Sequence, residues 1–202
     1  QALAATGKTG SAGDTRVGIL YGVLAKALSG QGRYREALAA HEDGVRLMPP
    51  ANLGPRNAAI QLGNEAMLQY ALGDYAKALD LTAQAVAMLG KAYIASGDEF
   101  RTPVEVKHVR LLLANGRTDE AKSLLDALLS RVRAVEDVDS ESYALVLEAM
   151  TESALRSGDA ANGQKLLDEA RTRYLKRGLP PTHVKFAQYL RKDAAFARLR
   201  GD

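Results

Sequence analysis

Chemistry in this chain of 202 residues would have to come from three histidines, a Gly-Lys-Thr triplet and one dense run of carboxylates, because there is no cysteine. Gly7-Lys8-Thr9 has the ending of a phosphate-binding loop. That loop needs a glycine five residues before Gly7, where this chain has Ala2, and no apolar strand leads into it. Gly10-Ser11-Ala12-Gly13 has Thr9 where a nucleophile elbow requires its first glycine, and it reads as an inter-repeat loop. Gly30-Gln31-Gly32 lacks the third glycine of a dinucleotide fingerprint. His41-Glu42 lacks the second histidine of a zinc-protease helix, and a helix-packing role is expected of His41. His108 sits in Lys107-His108-Val109-Arg110, and His183 follows the helix-start residue Thr182. Neither has sequence neighbours that would build a triad or a metal shell. Glu136-Asp137-Val138-Asp139-Ser140-Glu141 lacks the glycine and the terminal bidentate glutamate of a calcium loop. Directly ahead of a helix, these carboxylates complement its dipole and cap its free amides. The chain is therefore not expected to be an enzyme, and no cofactor or metal is expected.

The elements that carry these residues are marked by glycine. Gly32-Arg33, Gly73-Asp74, Gly116-Arg117, Gly158-Asp159 and Gly201-Asp202 return at spacings of 41, 43, 42 and 43 residues. A period of this length marks a repeat array, in which each unit buries its apolar faces by stacking on its neighbours. Five residues after each of the first four glycines stands a small residue: Ala37, Ala78, Ala121 and Gly163. Gly44, Ala85, Leu128 and Ala170 stand twelve after, and Ala25, Ala66, Val109, Thr151 and Ala194 stand seven before. Mostly small residues at fixed offsets fall where paired helices would cross.

Helical periodicity agrees. Tyr21, Leu24, Ala25 and Leu28 follow i, i+3, i+4, i+7, and Ala37, Leu38, His41, Val45 and Met48 continue beyond the turn. Helix starts are signalled at Asp14-Thr15, Gly54-Pro55, Thr102-Pro103, Asp139-Ser140 and Thr182. Helix pairs are expected over 15–48, 55–89, 102–134 and 140–175, with a single helix over 182–200. The second unit has an extension through Ala92-Tyr93-Ile94 as an option, before a break at Gly97-Asp98. The stiff stretches from Pro49 to Pro55 and from Gly178 to Pro181 read as inter-repeat loops, so residues 1–202 are expected to form one domain.

In these features the chain resembles tetratricopeptide-repeat (TPR) proteins, each unit being a helix A, a tight Gly-Asp or Gly-Arg turn and a helix B. The period of about 42 resembles the longer-helix subtype found in kinesin light chains and many bacterial signalling proteins. The family's tryptophan is missing, and its helix-B aromatics are replaced by His41, Thr82, Leu125 and Leu167. The resemblance implies an all-α superhelix, or solenoid, of about four helical hairpins plus a C-terminal single helix. It also implies a concave face lined by A-helix residues ten, nine, six and three before the turn glycine. On that rule the candidate peptide-binding residues are Lys26, Asn64, Met67, Tyr70, Lys107, Arg110, Glu148, Glu152 and Arg191, with Arg198 beyond them. Lys26, Asn64, Lys107 and Arg110 resemble part of the clamp by which some relatives hold a peptide's carboxylate. Gly22 and Gly63 fall at the same inward register, where backbone can approach a ligand.

Composition bounds the partners. Lys and Arg exceed Asp and Glu by only three, interspersed rather than clustered, so nucleic acid is not an expected partner. No stretch of about 18 apolar residues is present, so insertion into a membrane is not expected. The cytoplasm is the expected compartment, or the periplasm if the full-length protein carries a signal or transmembrane segment. The expected function is a docking module for a peptide or partner protein within a bacterial signalling or regulatory protein. The alternative is a ligand- or peptide-sensing domain that controls an attached kinase or DNA-binding domain. Gln1-Ala2-Leu3-Ala4-Ala5 matches the end of a preceding helix B, so a longer array is expected around this chain. Phe186, Tyr189, Leu190 and Phe196 load the last helix with apolar surface, from which dimerisation through that helix is expected.

Overall fold

The structure, a computed structural model, describes residues 12–48, 54–92, 101–135 and 140–201. Nine α-helices lie among them, with no strand: α1 Ala12–Gly30, α2 Tyr34–Leu47, α3 Pro55–Ala71, α4 Tyr75–Ala92, α5 Arg101–Ala114, α6 Thr118–Val135, α7 Glu141–Ser157, α8 Ala160–Lys176 and α9 Val184–Arg200. The expected helix pairs are all present. Packing joins α1 to α2, α3 to α4, α5 to α6 and α7 to α8. The chain divides into two compact units, residues 1–92 and 93–202, taken in turn below. The Gly-Lys-Thr triplet, Tyr93-Ile94, Gly97-Asp98, the acidic residues 136–139 and most of the Pro49–Pro55 stretch lie outside the described residues.

The repeating turn follows from what a helix end leaves unsatisfied. The last carbonyls have no intrahelical donor, and a residue with positive φ lets the next amides fold back onto them. All five turn glycines have φ between +74° and +90°. After α1, Gly32 N–H donates to Ser29 O at 3.0 Å and Arg33 N–H to Leu28 O at 3.0 Å. The same pair of bonds recurs after α3, α5 and α7, from Gly73 and Asp74, Gly116 and Arg117, and Gly158 and Asp159.

The residue after each glycine opens helix B in one of two ways. Asp74 Oδ1 accepts from Lys77 N–H at 3.1 Å, and Asp159 Oδ1 from Asn162 N–H at 3.2 Å, both as N-caps. Arginine cannot cap. Instead Arg33 and Arg117 each form a two-pronged pair with the glutamate three residues on, Glu36 (2.8 and 2.5 Å) and Glu120 (2.6 and 2.6 Å). That glutamate sits in the first turn, where negative charge complements the helix dipole. Elsewhere Pro55 occupies the first turn behind Gly54, and Ser140 caps α7 by accepting from Tyr143 N–H at 3.2 Å. Thr102 departs from its expected capping role: it lies buried inside the first turn of α5 and accepts from Arg131 Nη2 at 3.2 Å.

In the first unit, Ala25, Leu28, Ala37, Ala40 and Leu68 form one core cluster, with Tyr21 and Leu38 packed on it. Helices α1 and α2 approach closely through glycine. A Cβ on Gly18 would lie 3.0 Å from Gly44 O, and one on Gly44 3.0 Å from Tyr21 Cβ. His41 is buried on α2, in agreement with a packing role.

In the second unit, Val104, Val109, Leu111, Leu125, Leu128, Val132, Leu147 and Leu167 are nearly or fully buried. Glu105, itself buried, is held by Arg101 at 2.9 Å and by Arg131, which joins α5 to α6. The expectation that α9 carries surplus apolar surface is corrected for three of its four residues. Phe186, Tyr189 and Phe196 are buried, and Leu190 is 67% exposed. Gly163 explains part of this: a Cβ there would lie 2.2 Å from the Phe196 ring and 3.1 Å from Ala154 Cβ. The missing side chain makes the socket for Phe196.

The residues five after the turn glycine therefore set two stability tests. Ala78 and Ala121 are fully buried, and replacing either by leucine should cost roughly 1–3 kcal/mol by overpacking. Gly163→Ala should cost a similar amount despite a helix-propensity gain of about 1 kcal/mol, because the new Cβ would collide with the Phe196 ring. Chemical denaturation measures both. A Gly163→Ala chain as stable as its parent would contradict the socket.

Candidate functional site

On an A helix, residues nine and six before the turn glycine are separated by three positions and share a face. In the second unit that face belongs to α5, α7 and α9. Arg110 on α5 and Glu152 on α7 hold the same register one repeat apart, six before Gly116 and Gly158. They meet in a two-pronged pair, Arg110 Nε to Glu152 Oε2 at 3.0 Å and Nη2 to Oε1 at 3.1 Å. Glu148, one helical turn before Glu152, reaches the same guanidinium at 3.6 Å. From α9, Lys192 Nζ donates to Glu152 Oε1 at 3.1 Å, and Tyr189 Oη donates to Glu148 Oε1 at 2.6 Å. Three successive A helices are thus cross-linked by one alternating network.

Its electrostatics follow from burial set against pairing. Burial pushes the Glu152 carboxyl up, but Arg110 and Lys192 outweigh it and hold the carboxyl below its ordinary range. Burial likewise opposes the charge on Arg110, and Glu152 and Glu148 raise it above its ordinary value. Lys107, half-buried on the same face, is pushed down by burial and by the neighbouring Arg110. The Tyr174 and Tyr189 hydroxyls are pushed up, mainly by burial and also by Glu148, so both act as neutral donors.

Of the sequence-derived site residues, Arg110, Glu148 and Glu152 are brought together here, bound to one another. Arg191 is exposed on α9, as is Arg198. In the first unit Lys26 and Asn64 are exposed, Met67 is half-buried, and Tyr70 packs at a tilt on Tyr75, ring centroids 5.2 Å apart. Gly22 has open space where a side chain would be, whereas Gly63 is buried. Lys192 and Tyr189 were missed. Lys192 stands nine before Gly201, so the register rule itself was the available signal. Tyr189 had been assigned to apolar packing, and its hydroxyl carried no periodic signal.

Among the described residues, no three His, Cys, Asp or Glu side chains gather as a metal site. His183 is exposed, and His108 is half-buried with its pKa lowered by burial and by Arg117. In the first unit a depression of about 320 Å³ is lined by Gly32, Arg33, Tyr34, Arg35, Glu36 and Leu72, with Arg33 and Glu36 already paired. No helix among the described residues is long and apolar enough to cross a membrane.

No protein-family model and no curated protein matches the chain. Solved structures do. A putative kinesin light chain from Podosopora anserina, with nearly identical TPR-like repeats, superposes with a TM-score of 0.62 at 21% identity, covering 87% of this chain and 82% of its own. A single-residue variant of that protein gives 0.65 at 21% identity, covering 88% and 82%. BtubC (BKLC) from P. vanneervenii gives 0.67 at 15% identity, covering 93% of this chain and 75% of its own. The chain therefore has the all-α, TPR-type helical-repeat fold.

Two tests come from the network. Replacing Arg110 by alanine leaves Glu148 and Glu152 short of a cation and should cost roughly 1–3 kcal/mol, towards the lower end because the pair is partly solvated. Denaturant titration measures it. The second test is pH. Glu152 has a lower pKa folded than unfolded, so its contribution is whole above the unfolded value of about 4.3 and is lost as pH falls through the folded value. The parent chain and Glu152→Gln should thus differ in melting temperature at neutral pH and converge on acidification. A constant difference down to about pH 2 would contradict the assignment.

Proposed function

We propose that this chain is a protein-interaction module that docks a peptide or partner protein on its A-helix faces. The observation that carries this reading is the division of labour among A-helix residues. In the second unit Arg110, Glu148, Glu152 and Lys192 are engaged with one another, while Arg191 on the same set of registers is exposed. Exposed polar side chains on a face stiffened by inter-helix pairs suit recognition of an extended chain. Ordering such a ligand is the main cost, and a rigid surface adds little to it.

Lys107 remains a candidate for an acidic ligand group on this reading, beside a network that keeps the local charge nearly balanced. Arg110, one of the four residues that resemble a carboxylate clamp, instead holds two carboxylates of its own chain. We place the module in a bacterial signalling or regulatory protein, on its likeness to the longer-repeat TPR proteins. A sensing domain controlling an attached effector is the weaker alternative. An enclosed apolar pocket would favour it, and the depression at the first turn is instead lined by Arg33, Arg35 and Glu36.

Selection of phage-displayed random peptides against the 202-residue chain tests the reading. Peptides bound on the first unit should lose at least tenfold in affinity when Lys26 is replaced by glutamate, and peptides bound on the second unit when Arg191 is, since a charge-assisted hydrogen bond contributes about 1.5–3 kcal/mol. Both side chains are exposed, so the fold should stay intact by circular dichroism. Peptides that bind yet respond only to substitutions on exposed helix-B positions such as Lys122 and Lys165 would overturn the assignment to the A-helix faces.

A further inference from the structure

Each turn presents the residue just before its glycine and the residue two after it, and in the first unit these are unusually apolar. Gln31, Leu72, Asn115, Ser157 and Arg200 stand just before the five glycines, so leucine occurs once where every other turn is polar. Tyr34, Tyr75, Thr118 and Ala160 stand two after, with tyrosine only in the first unit. Burial does not account for these choices. Leu72 is 36% exposed and Tyr75 51%, and Tyr34 and Tyr70 are half-buried.

The depression of about 320 Å³ is lined by both of these turns, the run from Gly32 to Glu36 on one side and Leu72, at the end of α3, on the other. Its walls are complete. The described chain starts at Ala12 and is interrupted after Met48 and after Ala92, in each case at the other end of α1, α2 or α4, a helix length of about 20 Å or more from the turns. Most charges nearby are already spent. Arg33 and Glu36 neutralise each other, Asp74 caps α4, and Lys77 pairs with Glu65 at 3.2 Å. Arg35 is exposed and joins no ion pair among the described residues. One uncompensated cation therefore stands beside an apolar wall of Leu72 and Tyr34.

We infer that this depression docks a short acidic segment of a partner protein, with an apolar side chain resting on Leu72 and Tyr34 and a neighbouring carboxylate meeting Arg35. Charge selects the occupant. A wholly apolar segment would cover the Arg35 guanidinium without a counter-charge, and a basic one would be repelled by it. Small-molecule sites are enclosed and mostly apolar, whereas this one has three charged residues in its lining and most of its side chains exposed, which suits a segment held along a surface. Tyrosine and arginine are also the side chains enriched at the energetic centres of interfaces. The site lies at the helix ends, so it is a second surface, independent of docking on the A-helix faces.

A random dodecapeptide phage library selected on the 202-residue chain and counter-selected on Arg35→Glu/Leu72→Ser reads the inference directly. Peptides removed by the counter-selection should carry Asp or Glu within two residues of a large apolar side chain. Synthesised singly, each should bind the parent at least tenfold more tightly than Arg35→Glu, and should bind Lys26→Glu as tightly as the parent. Changing the peptide's acid to its amide should cost the same factor, and Leu72→Ser should also weaken binding. Arg35 and Leu72 are both exposed, so helix content by circular dichroism should not change. A selection in which no peptide distinguishes the parent from the double variant overturns the inference, as does one whose discriminating peptides carry no acid. Peptides that respond only to Lys26→Glu overturn it too, while leaving docking on the A-helix faces in place.

Discussion

Reversing a helix within two residues requires one residue with positive φ, and nearly everything in this chain is arranged around that requirement. Only glycine adopts the conformation without steric cost, so glycine stands at each of the four turns that join a helix A to its helix B. Once the reversal is fixed, the position five residues on always falls at the place where helix B crosses its partner. Ala37, Ala78, Ala121 and Gly163 are all buried there. The small-residue stripes thus follow geometrically from the turn. The residue after the glycine is constrained only to start a helix, which is why aspartate capping and an arginine–glutamate pair serve interchangeably.

This explains which parts of the structure were legible in the sequence. Turn, crossing and helix start are local or periodic, and each leaves a residue type at a fixed offset. Helix bounds read from those offsets, such as 140–175 for α7 and α8, fall within a residue or two of Glu141–Lys176. The burial of Phe186, Tyr189 and Phe196 was not legible in the same way. Phe196 enters a socket that exists because residue 163 is glycine, and a buried glycine at a crossing reads only as close helix approach. Nothing along the sequence says that an aromatic ring from the next helix fills the space.

The candidate site divides along the same line. In α5, α7 and α9 the registers proposed to face a ligand also face neighbouring A helices, so charges there can serve a ligand or each other. Sequence position alone does not choose. Arg110 and Glu152 sit at one register on adjacent repeats with opposite charge, and once the helices stack they pair. Arg191 stands at the register of Glu148 one repeat on, with opposite charge, yet it is exposed while Glu148 binds Arg110 and Tyr189. Opposite charge one period apart is therefore permissive and not sufficient, and the side-chain partners on neighbouring helices decide which charges pair.

Leu20 and Tyr189 show how far that periodic comparison reaches. Both stand twelve residues before a turn glycine, and a repeat rule would assign them one environment. Tyr189 is buried and ties its hydroxyl to Glu148, whereas Leu20 lies mostly open. Repeat register specifies which surface a residue belongs to; whether that surface is covered depends on a neighbour that the register does not name. An apolar residue at an interior register with no cover carries the same hydrophobic driving force as its buried equivalents, still unspent.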